Sequence, residues 1–188
     1  MVKHMLGLYK GVNMKIRIVS IILCLLPIFI SNCDNDESEF KDKFSIYISD
    51  STYNYEDISL ETIQKNDTPF ITLDKITSYN WSTHEIIYSS GVWEELKEWG
   101  NLLHKYFIVI VNDERIYWGI FMDDLDSGGC QNPVIKLLPR YPDGRNTIPE
   151  SLIIDRAYPE YVGSEDDPDL REDTRIYDIL LESGKFAE

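Results

Sequence analysis

The chain has 188 residues, of which 33 are acidic and 18 are basic, and its net charge is −15 at pH 7. This composition disfavours binding to nucleic acid, whose phosphate backbone selects basic surfaces. It equally disfavours docking on anionic lipid headgroups. The length suits one domain that buries its own core.

The first element along the chain is an apolar run over residues 18–30, preceded by two basic residues and reading IVSIILCLLPIFI. Its 13 residues are too few for a membrane-spanning helix, which needs roughly 20. They match the apolar centre of a secretory signal peptide. The pattern predicts a start at Met14, with residues 14–32 as the signal peptide and residues 1–13 as a non-native upstream extension.

Cys33 follows within ISNC, which resembles a bacterial lipobox, an aliphatic residue and two short residues before an obligatory cysteine. The A-x-A-like pattern of a general signal-peptidase site is missing. A lipobox implies cleavage before Cys33 and acylation of that cysteine, because several acyl chains such as palmitate anchor more stably than one myristoyl chain. Asn32 departs from the usual Gly, Ala or Ser, so an ordinary secreted protein or a short anchor stays the alternative.

An acidic, polar segment over residues 33–42 predicts a solvated tether, since a sequence so poor in apolar side chains cannot bury enough surface to fold. Four of the 18 basic residues precede Cys33, so the mature chain keeps 14 basic and 33 acidic residues and a net charge of −19. Residues 43–188 are expected to form a single globular domain, held at the membrane by the acyl group.

Short strands are predicted in the first part of this domain. Apolar and polar residues alternate in KFSIYIS, residues 43–49, as in a half-buried strand. FITL, residues 70–73, and HEIIYS, residues 84–89, are two more candidates. They flank the turn-rich SYNWST at residues 78–83.

After these strands the apolar residues recur with helical instead of strand-like spacing, which predicts an amphipathic helix. Its apolar face has the spacing i, i+4, i+7 and i+11, and consists of Val92, Leu96, Trp99 and Leu103. Ser90 is positioned to cap the N-terminus. His104 is placed at the C-terminal end, where an imidazolium meets the negative end of the helix dipole.

The most apolar stretch of the domain, residues 106–122, predicts a tight hairpin of two strands around NDER. Asn112 and Asp113 tolerate the positive φ that such turns require. Both strands are apolar on both faces, which favours a central position in the sheet. Gly119 indicates a bulge or a close approach of the backbone.

Two further strands are predicted in PVIKLL, residues 133–138, and SLIIDRAY, residues 151–158. An acidic loop then leads to a last helix at about residues 173–183. Together the elements predict an α+β fold with a mainly antiparallel sheet and a central hydrophobic hairpin, covered on one face by two helices.

The stretches PFITLDKITSYNWSTHEII and FIVIVNDERIYWGIFMDDLDSGGCQNPVI, with the helix between them, resemble a family of small, largely uncharacterised bacterial lipoproteins. The globular part of these proteins is similar to the periplasmic head subdomain of the SecD translocation protein. The resemblance covers about residues 68–135, although NDER replaces a glycine-containing turn and DDLDSGGC is more acidic than expected. It implies an envelope-facing interaction domain and supplies no catalytic residues.

Cys130 is the one cysteine outside the signal peptide and the lipidation site, so a disulfide within the domain is not expected. It could act as a nucleophile with His84 or His104 as the base, but nothing in the spacing indicates that they are close. The C-x-x-C and H-x-x-x-H spacings of zinc sites are also missing. No catalytic residue is predicted.

The sequence DDLDSGG resembles the opening of a calcium loop, but Gly128 stands at the third ligand position and Ile135 stands where an EF-hand has Glu. Two solvated acidic loops are the simpler explanation, and no cofactor is expected. Irregular calcium binding stays an alternative. The carboxylates for it would come from Asp123, Asp124 and Asp126, or from Asp166, Asp167 and Asp169.

Four aromatic residues could line a groove for a sugar or a peptide, or pack in the core with their polar tips bonded. They are Tyr79, Trp81, Tyr117 and Trp118. The sequence as a whole predicts a lipid-anchored protein of the bacterial cell envelope, acting as a noncatalytic interaction or accessory domain with an envelope protein as partner. An envelope hydrolase of unknown substrate and a calcium-dependent binding protein are the alternatives.

Overall fold

The computed structural model describes residues 43–49, 58–125, 127–138, 148–164 and 166–188, and within them the chain forms nine strands and two α-helices. The elements in chain order are β1 (Phe44–Ser49), β2 (Ile71–Thr72), β3 (Ile76–Asn80), β4 (Glu85–Tyr88), α1 (Val92–Lys97), β5 (Tyr106–Val111), β6 (Glu114–Asp123), β7 (Val134–Leu137), β8 (Ser151–Asp155), α2 (Thr174–Glu182) and β9 (Phe186–Ala187). The expected mixture of several strands and two helices is confirmed. In the part of the chain that is described, no helix has the length and apolarity needed to span a bilayer. The predicted signal peptide, Cys33 and the tether lie outside the described residues.

The nine strands form one sheet in the order β2-β1-β5-β6-β7-β8-β4-β3-β9. Six neighbouring pairs are antiparallel, whereas β7 runs parallel to β6 and β9 runs parallel to β3. The sheet is therefore mixed, and the hairpin β5–β6 takes the third and fourth places rather than the middle. A parallel neighbour requires a return connection in place of a tight turn, and the strand sequences do not reveal that choice.

The hairpin forms where the apolar pattern predicts it. Asn112 and Asp113 adopt φ values of 49° and 66°, and Val111 pairs with Glu114 across this two-residue turn. Positive φ at both turn residues matches the right-handed twist of the flanking strands. A shift of register follows Val109, and both faces of the hairpin are buried.

The two faces of the hairpin contribute to two separate hydrophobic clusters. On β5, alternate residues enter a larger first cluster, namely Phe107, Val109 and Val111. The residues between them enter a smaller second cluster, namely Tyr106, Ile108 and Ile110. Both helices pack on the first cluster, through Leu96 of α1 and Ile176 of α2 among others. The second cluster is completed by residues outside the helices, including Ile63, Cys130 and Tyr158.

The turn-rich assignment of residues 78–83 is wrong in its first half, because β3 extends through Asn80. Tyr79 is 1% exposed and belongs to the first cluster, so burial of this aromatic side chain outweighs the turn propensity of its neighbours. The predicted strand FITL is likewise shortened to the two residues of β2, and the chain then makes a 3-10 turn.

The helix predicted through Leu103 ends at Lys97. Gly100 adopts a φ of 70°, which ends the helical path, yet Trp99 and Leu103 still pack against the first cluster. The placement of His104 at a helix end is therefore wrong. This residue has a φ of 63°, and its backbone N–H donates to the Phe121 carbonyl oxygen at 2.8 Å.

The N-terminal cap of α1 is also different from the prediction. Gly91, with a φ of 91°, takes the capping position that Ser90 was expected to occupy, and no side chain there donates or accepts a capping hydrogen bond. The last helix agrees closely with its prediction. Asp173 caps α2 by accepting a hydrogen bond from the Arg175 N–H, and Gly184 follows its C-terminus with a φ of 69°.

Candidate functional site

The candidate functional site consists of a buried histidine, a neighbouring ion pair and a pocket, and the histidine is His84. His84 lies in the turn between β3 and β4, with a φ of 53°, and only 2% of it is exposed. Its Nδ1 lies 3.0 Å from the Tyr79 hydroxyl, and the Trp81 ring packs against the imidazole with 5.7 Å between centroids. Burial lowers the pKa of His84 to about 4, and the charge of Arg171 acts in the same direction. The imidazole is therefore uncharged at neutral pH.

An ion pair between Asp169 and Arg171 stands beside this histidine. The Arg171 N, Nε and Nη2 donate to the Asp169 carboxylate at 3.0, 2.9 and 2.6 Å, and Nη1 donates to the Ile154 carbonyl oxygen at 2.7 Å. The two side chains are only 14% and 13% exposed. Burial by itself raises the pKa of Asp169, but the hydrogen bonds from Arg171 outweigh burial and hold the pKa below its ordinary value.

His84, Asp169 and Glu172 each place one potential ligand atom within 4.8 Å of the others, an arrangement with the donor set of a metal site. The surrounding contacts fit a metal ion poorly. The Asp169 carboxylate already accepts several hydrogen bonds from the Arg171 guanidinium, and a second cation there would be repelled. The contacts fit better a structural network in which burial keeps the histidine neutral and the arginine keeps the aspartate charged.

The low pKa of His84 predicts a loss of stability in mild acid. An imidazole in the unfolded chain titrates near pH 6.5, so between about pH 6.5 and 4 the unfolded state binds the proton and the folded state does not. Lowering the pH through this window is therefore expected to reduce the free energy of unfolding by up to about 3 kcal/mol. Urea unfolding of wild type and His84→Gln at pH 7, 5.5 and 4 measures this difference. A pH dependence that the variant retains in full would contradict it.

A pocket of about 270 Å³ adjoins Asp169. Its lining combines charged, polar and apolar side chains and consists of Gln131, Pro133, Arg156, Tyr161, Asp167, Pro168, Asp169 and Leu170. The Arg156 guanidinium lies over the Tyr161 ring, 3.7 Å from its centroid, and its Nη2 donates to the Asp167 carbonyl oxygen at 2.7 Å. Its Nε lies 3.9 Å from the nearer Asp169 oxygen, beyond hydrogen-bonding distance.

The loop that carries most of this lining is held by its own hydrogen bonds. The Asp167 carboxylate accepts from the Tyr161 hydroxyl at 2.9 Å and from the Ser164 N–H at 2.8 Å, and these bonds lower the pKa of Asp167. Gln131 ties the loop to the segment before β7, because its Oε1 accepts from the Val162 N–H at 3.0 Å. A Cβ at Gly163 would lie 2.3 Å from the Tyr161 hydroxyl oxygen, so a larger residue there would have to displace the Tyr161 side chain.

The four aromatic residues proposed for a groove do not lie together. Tyr79 and Tyr117 are 1% and 2% exposed and belong to the first cluster. Trp81 packs against the same cluster, 6.2 Å from the Tyr79 ring between centroids. Trp118 packs against the second cluster, beside Tyr106. The structure therefore places Tyr79, Trp81 and Tyr117 at the first cluster and Trp118 at the second.

With His84 as the base, the proposed cysteine–histidine pair is divided between the surroundings of the two clusters, whereas the alternative pairing of Cys130 with His104 stays a prediction. Cys130 is buried in the second cluster, where its Sγ donates to the Asn132 carbonyl oxygen at 3.5 Å and its backbone pairs with that of Tyr158. His84 packs instead against Tyr79 and Trp81 of the first cluster. The Cys130 thiol and the His84 imidazole consequently have different neighbours. The thiol is hydrogen-bonded to Asn132 and the imidazole to Tyr79.

The aspartates considered for calcium binding differ in their burial and in their hydrogen bonds. Asp123 is 3% exposed and its Oδ1 accepts from the Leu125 N–H at 3.0 Å, whereas Asp124 is exposed and Asp126 lies outside the described residues. In the second acidic loop Asp166 is exposed. Asp167 and Asp169 have the bonds to Tyr161 and Arg171 described above. The Asp167 and Asp169 carboxylates of this loop thus organise the lining of the pocket.

Comparison with known proteins gives no family assignment. No protein-family model, curated protein or solved structure matches the chain. The resemblance to bacterial lipoproteins and to the SecD head therefore stays a prediction, and the chemistry of the site follows from its own contacts.

Several residues of the site are not among those predicted from the sequence, notably Arg156, Tyr161 and Arg171. One local signal was present, because the chain contains the pattern D-x-R twice within DLREDTR. In both copies the backbone N–H and the guanidinium of the arginine donate to the preceding aspartate, which also caps the following helix. The contacts of the Asp169–Arg171 pair with His84 and Arg156 join distant segments and leave no local pattern.

Proposed function

We propose that the protein is a lipid-anchored component of the bacterial cell envelope whose globular domain is a noncatalytic interaction domain. The observation that carries this proposal is the apolar segment of residues 18–30, followed two residues later by Cys33 and then by the polar, acidic segment of residues 34–38. Cleavage and acylation at Cys33 would leave the domain on a polar tether. A role in binding a partner in the envelope, reached from this tether, follows from this arrangement.

The tether limits where the partner can be. Residues 33–42 span at most about 35 Å when fully extended. The domain would therefore meet partners that are themselves close to the membrane surface. The net charge of −19 on the mature chain keeps the domain from lying on anionic lipid, which leaves its surface accessible to another protein.

The placement of the reactive side chains supports a noncatalytic role. Cys130 lies in the second cluster and His84 packs against aromatic residues of the first, although a nucleophile and its base need to lie within about 3 Å. His84 also has its Nδ1 committed to Tyr79.

Acylation is tested by growing cells with an alkyne-bearing fatty acid and detecting the labelled protein by click chemistry. We expect label on wild type and on Cys130→Ala, and none on Cys33→Ala, because only Cys33 would be the acylated cysteine. Cys130→Ala is the matched control, since it removes a thiol that is buried in the second cluster. Wild type that remains unlabelled in the membrane fraction would refute the anchor.

The partner is tested by cross-linking in intact envelopes, comparing wild type with Cys33→Ala. An envelope protein captured by wild type and lost in the variant would support an anchored interaction domain. Absence of a specific adduct from both, despite equal amounts of folded protein, would refute the interaction role.

A further inference from the structure

The second hydrophobic cluster is covered by a short turn instead of by a helix. Residues 58–63 form this turn, in which the Ile63 N–H donates to the Ser59 carbonyl oxygen at 3.0 Å. Ile63 is 1% exposed and belongs to the second cluster, and Ile58 and Leu60 pack against it. In the described chain these residues pair with none of the nine strands. Residues 58–63 are here named the strap.

A single side chain makes the hydrogen bonds that join the strap to the rest of the described chain. The Arg115 Nη1 donates to the Leu60 and Ile63 carbonyl oxygens, each at 2.7 Å. A longer contact of 3.4 Å joins the same nitrogen to the Glu61 carbonyl oxygen. The other hydrogen bonds of the strap run between its own residues. The polar attachment of the strap therefore depends on Arg115.

Arg115 holds the strap from a fixed position on the sheet. It lies on β6 and pairs with Ile110 of β5, which belongs to the second cluster. Its guanidinium reaches carbonyl oxygens of a single helical turn, and such groups have no partner inside the turn. An arginine that donates to them satisfies them. The strap is therefore closed by one side-chain contact and by the packing of its apolar residues.

The chain that follows the strap is attached to the sheet in a different way. The Lys65 Nζ lies 3.7 Å from the centroid of the Tyr47 ring, and the Asn66 N–H donates to the Ile48 carbonyl oxygen at 2.8 Å. These contacts are made with β1 and do not include Arg115. Loss of the Arg115 contacts would therefore release the strap and leave the pairing of β1 with β5 in place.

Local opening of a protein costs less free energy than global unfolding where few backbone hydrogen bonds and few apolar contacts have to break. Opening of the strap breaks the Arg115 contacts and withdraws Ile63, whereas the strands and both helices keep their contacts. We propose that the strap opens as a unit while the sheet stays folded, that Arg115 is the latch that keeps it closed, and that opening gives solvent access to the second cluster. This device is independent of the lipid anchor and of the partner proposed above.

Amide hydrogen exchange of the purified mature chain at pH 7, followed by NMR, tests local opening without any substitution. The Ile63 N–H reports on the strap, and the Val109 N–H, in the strand between β1 and β6, reports on unfolding of the sheet. We expect the protection factor of the Ile63 amide to be about tenfold or more below that of Val109. Low concentrations of urea should speed the exchange of Val109 and leave that of Ile63 nearly unchanged, because opening of the strap exposes little surface. Equal protection, or an equal response to urea, would overturn local opening.

Two variants separate the latch from the stability of the whole domain. Arg115→Met keeps the aliphatic stem and removes the donors to the strap, so the exchange of Ile63 should become faster by about tenfold or more. Arg171→Ala removes the buried ion pair described above and leaves the strap contacts intact, so it should speed the exchange of Val109 and change that of Ile63 by no more than about twofold. Unchanged exchange of Ile63 in Arg115→Met would overturn the latch. Exchange of Ile63 that rises together with that of Val109 in Arg171→Ala would overturn the proposal, because the strap would then open only when the domain unfolds.

Discussion

Replacing Arg171 with alanine is expected to lower the free energy of unfolding by about 3–5 kcal/mol at pH 7. The substitution leaves the Asp169 carboxylate, 13% exposed, without its cation and without the hydrogen bonds that the guanidinium donates. It also removes the donor to the Ile154 carbonyl oxygen on β8. Urea unfolding followed by tryptophan fluorescence measures the loss.

Arg175→Ala is the matched control, because the chain repeats the same local geometry on its surface. Arg175 donates to Asp173 as Arg171 does to Asp169, but its side chain is 45% exposed. Exposed pairs contribute about 0–1 kcal/mol, so this variant should be nearly as stable as wild type. Equal losses in the two variants would contradict the role of burial.

Replacing Gly119 with alanine is expected to lower the free energy of unfolding by about 3 kcal/mol. A Cβ there would lie 2.1 Å from the Pro133 carbonyl oxygen and 2.3 Å from Phe107 Cζ. The carbonyl cannot move aside freely, since it accepts the Ile120 N–H at 3.0 Å beside the pairing of β6 with β7. Chemical denaturation of the purified variant and of wild type measures this difference in the free energy of unfolding.

Gly129→Ala serves as the control for this prediction. Its added Cβ would lie 3.4 Å from the Tyr158 carbonyl oxygen, an ordinary contact, so a change within about 0.5 kcal/mol is expected. A Gly119→Ala variant as stable as Gly129→Ala would show that β6 and β7 can separate at little cost. That result would remove close packing as the reason for glycine in β6.

Features determined by neighbouring residues were predictable from the sequence. The hairpin turn follows from Asn112 and Asp113, and the last helix follows from its capping residue and Gly184. The length of α1 was not predictable in this way. Trp99 and Leu103 continue the helical spacing of apolar residues, but they reach the core from an irregular backbone after Gly100.

The candidate site was less predictable, because its contacts join distant segments. His84 meets Tyr79 within its own hairpin, but its other neighbours, Asp169 and Glu172, come from the end of the domain. The charges of Asp167 and Asp169 indicated a solvated or calcium-binding loop. Their actual partners, Tyr161 and Arg171, depend on a loop conformation that composition does not specify.

The order of strands in the sheet has a consequence for the kinetics of folding. β1 pairs with β5 on the side opposite to β2, and β3 pairs with β9 from the far end of the domain. Such non-local pairings must close long loops before they are stabilised, which places folding in the range of milliseconds to seconds. Because β3 pairs with β9, this edge of the sheet can be completed only after residues 186–187 have been synthesised.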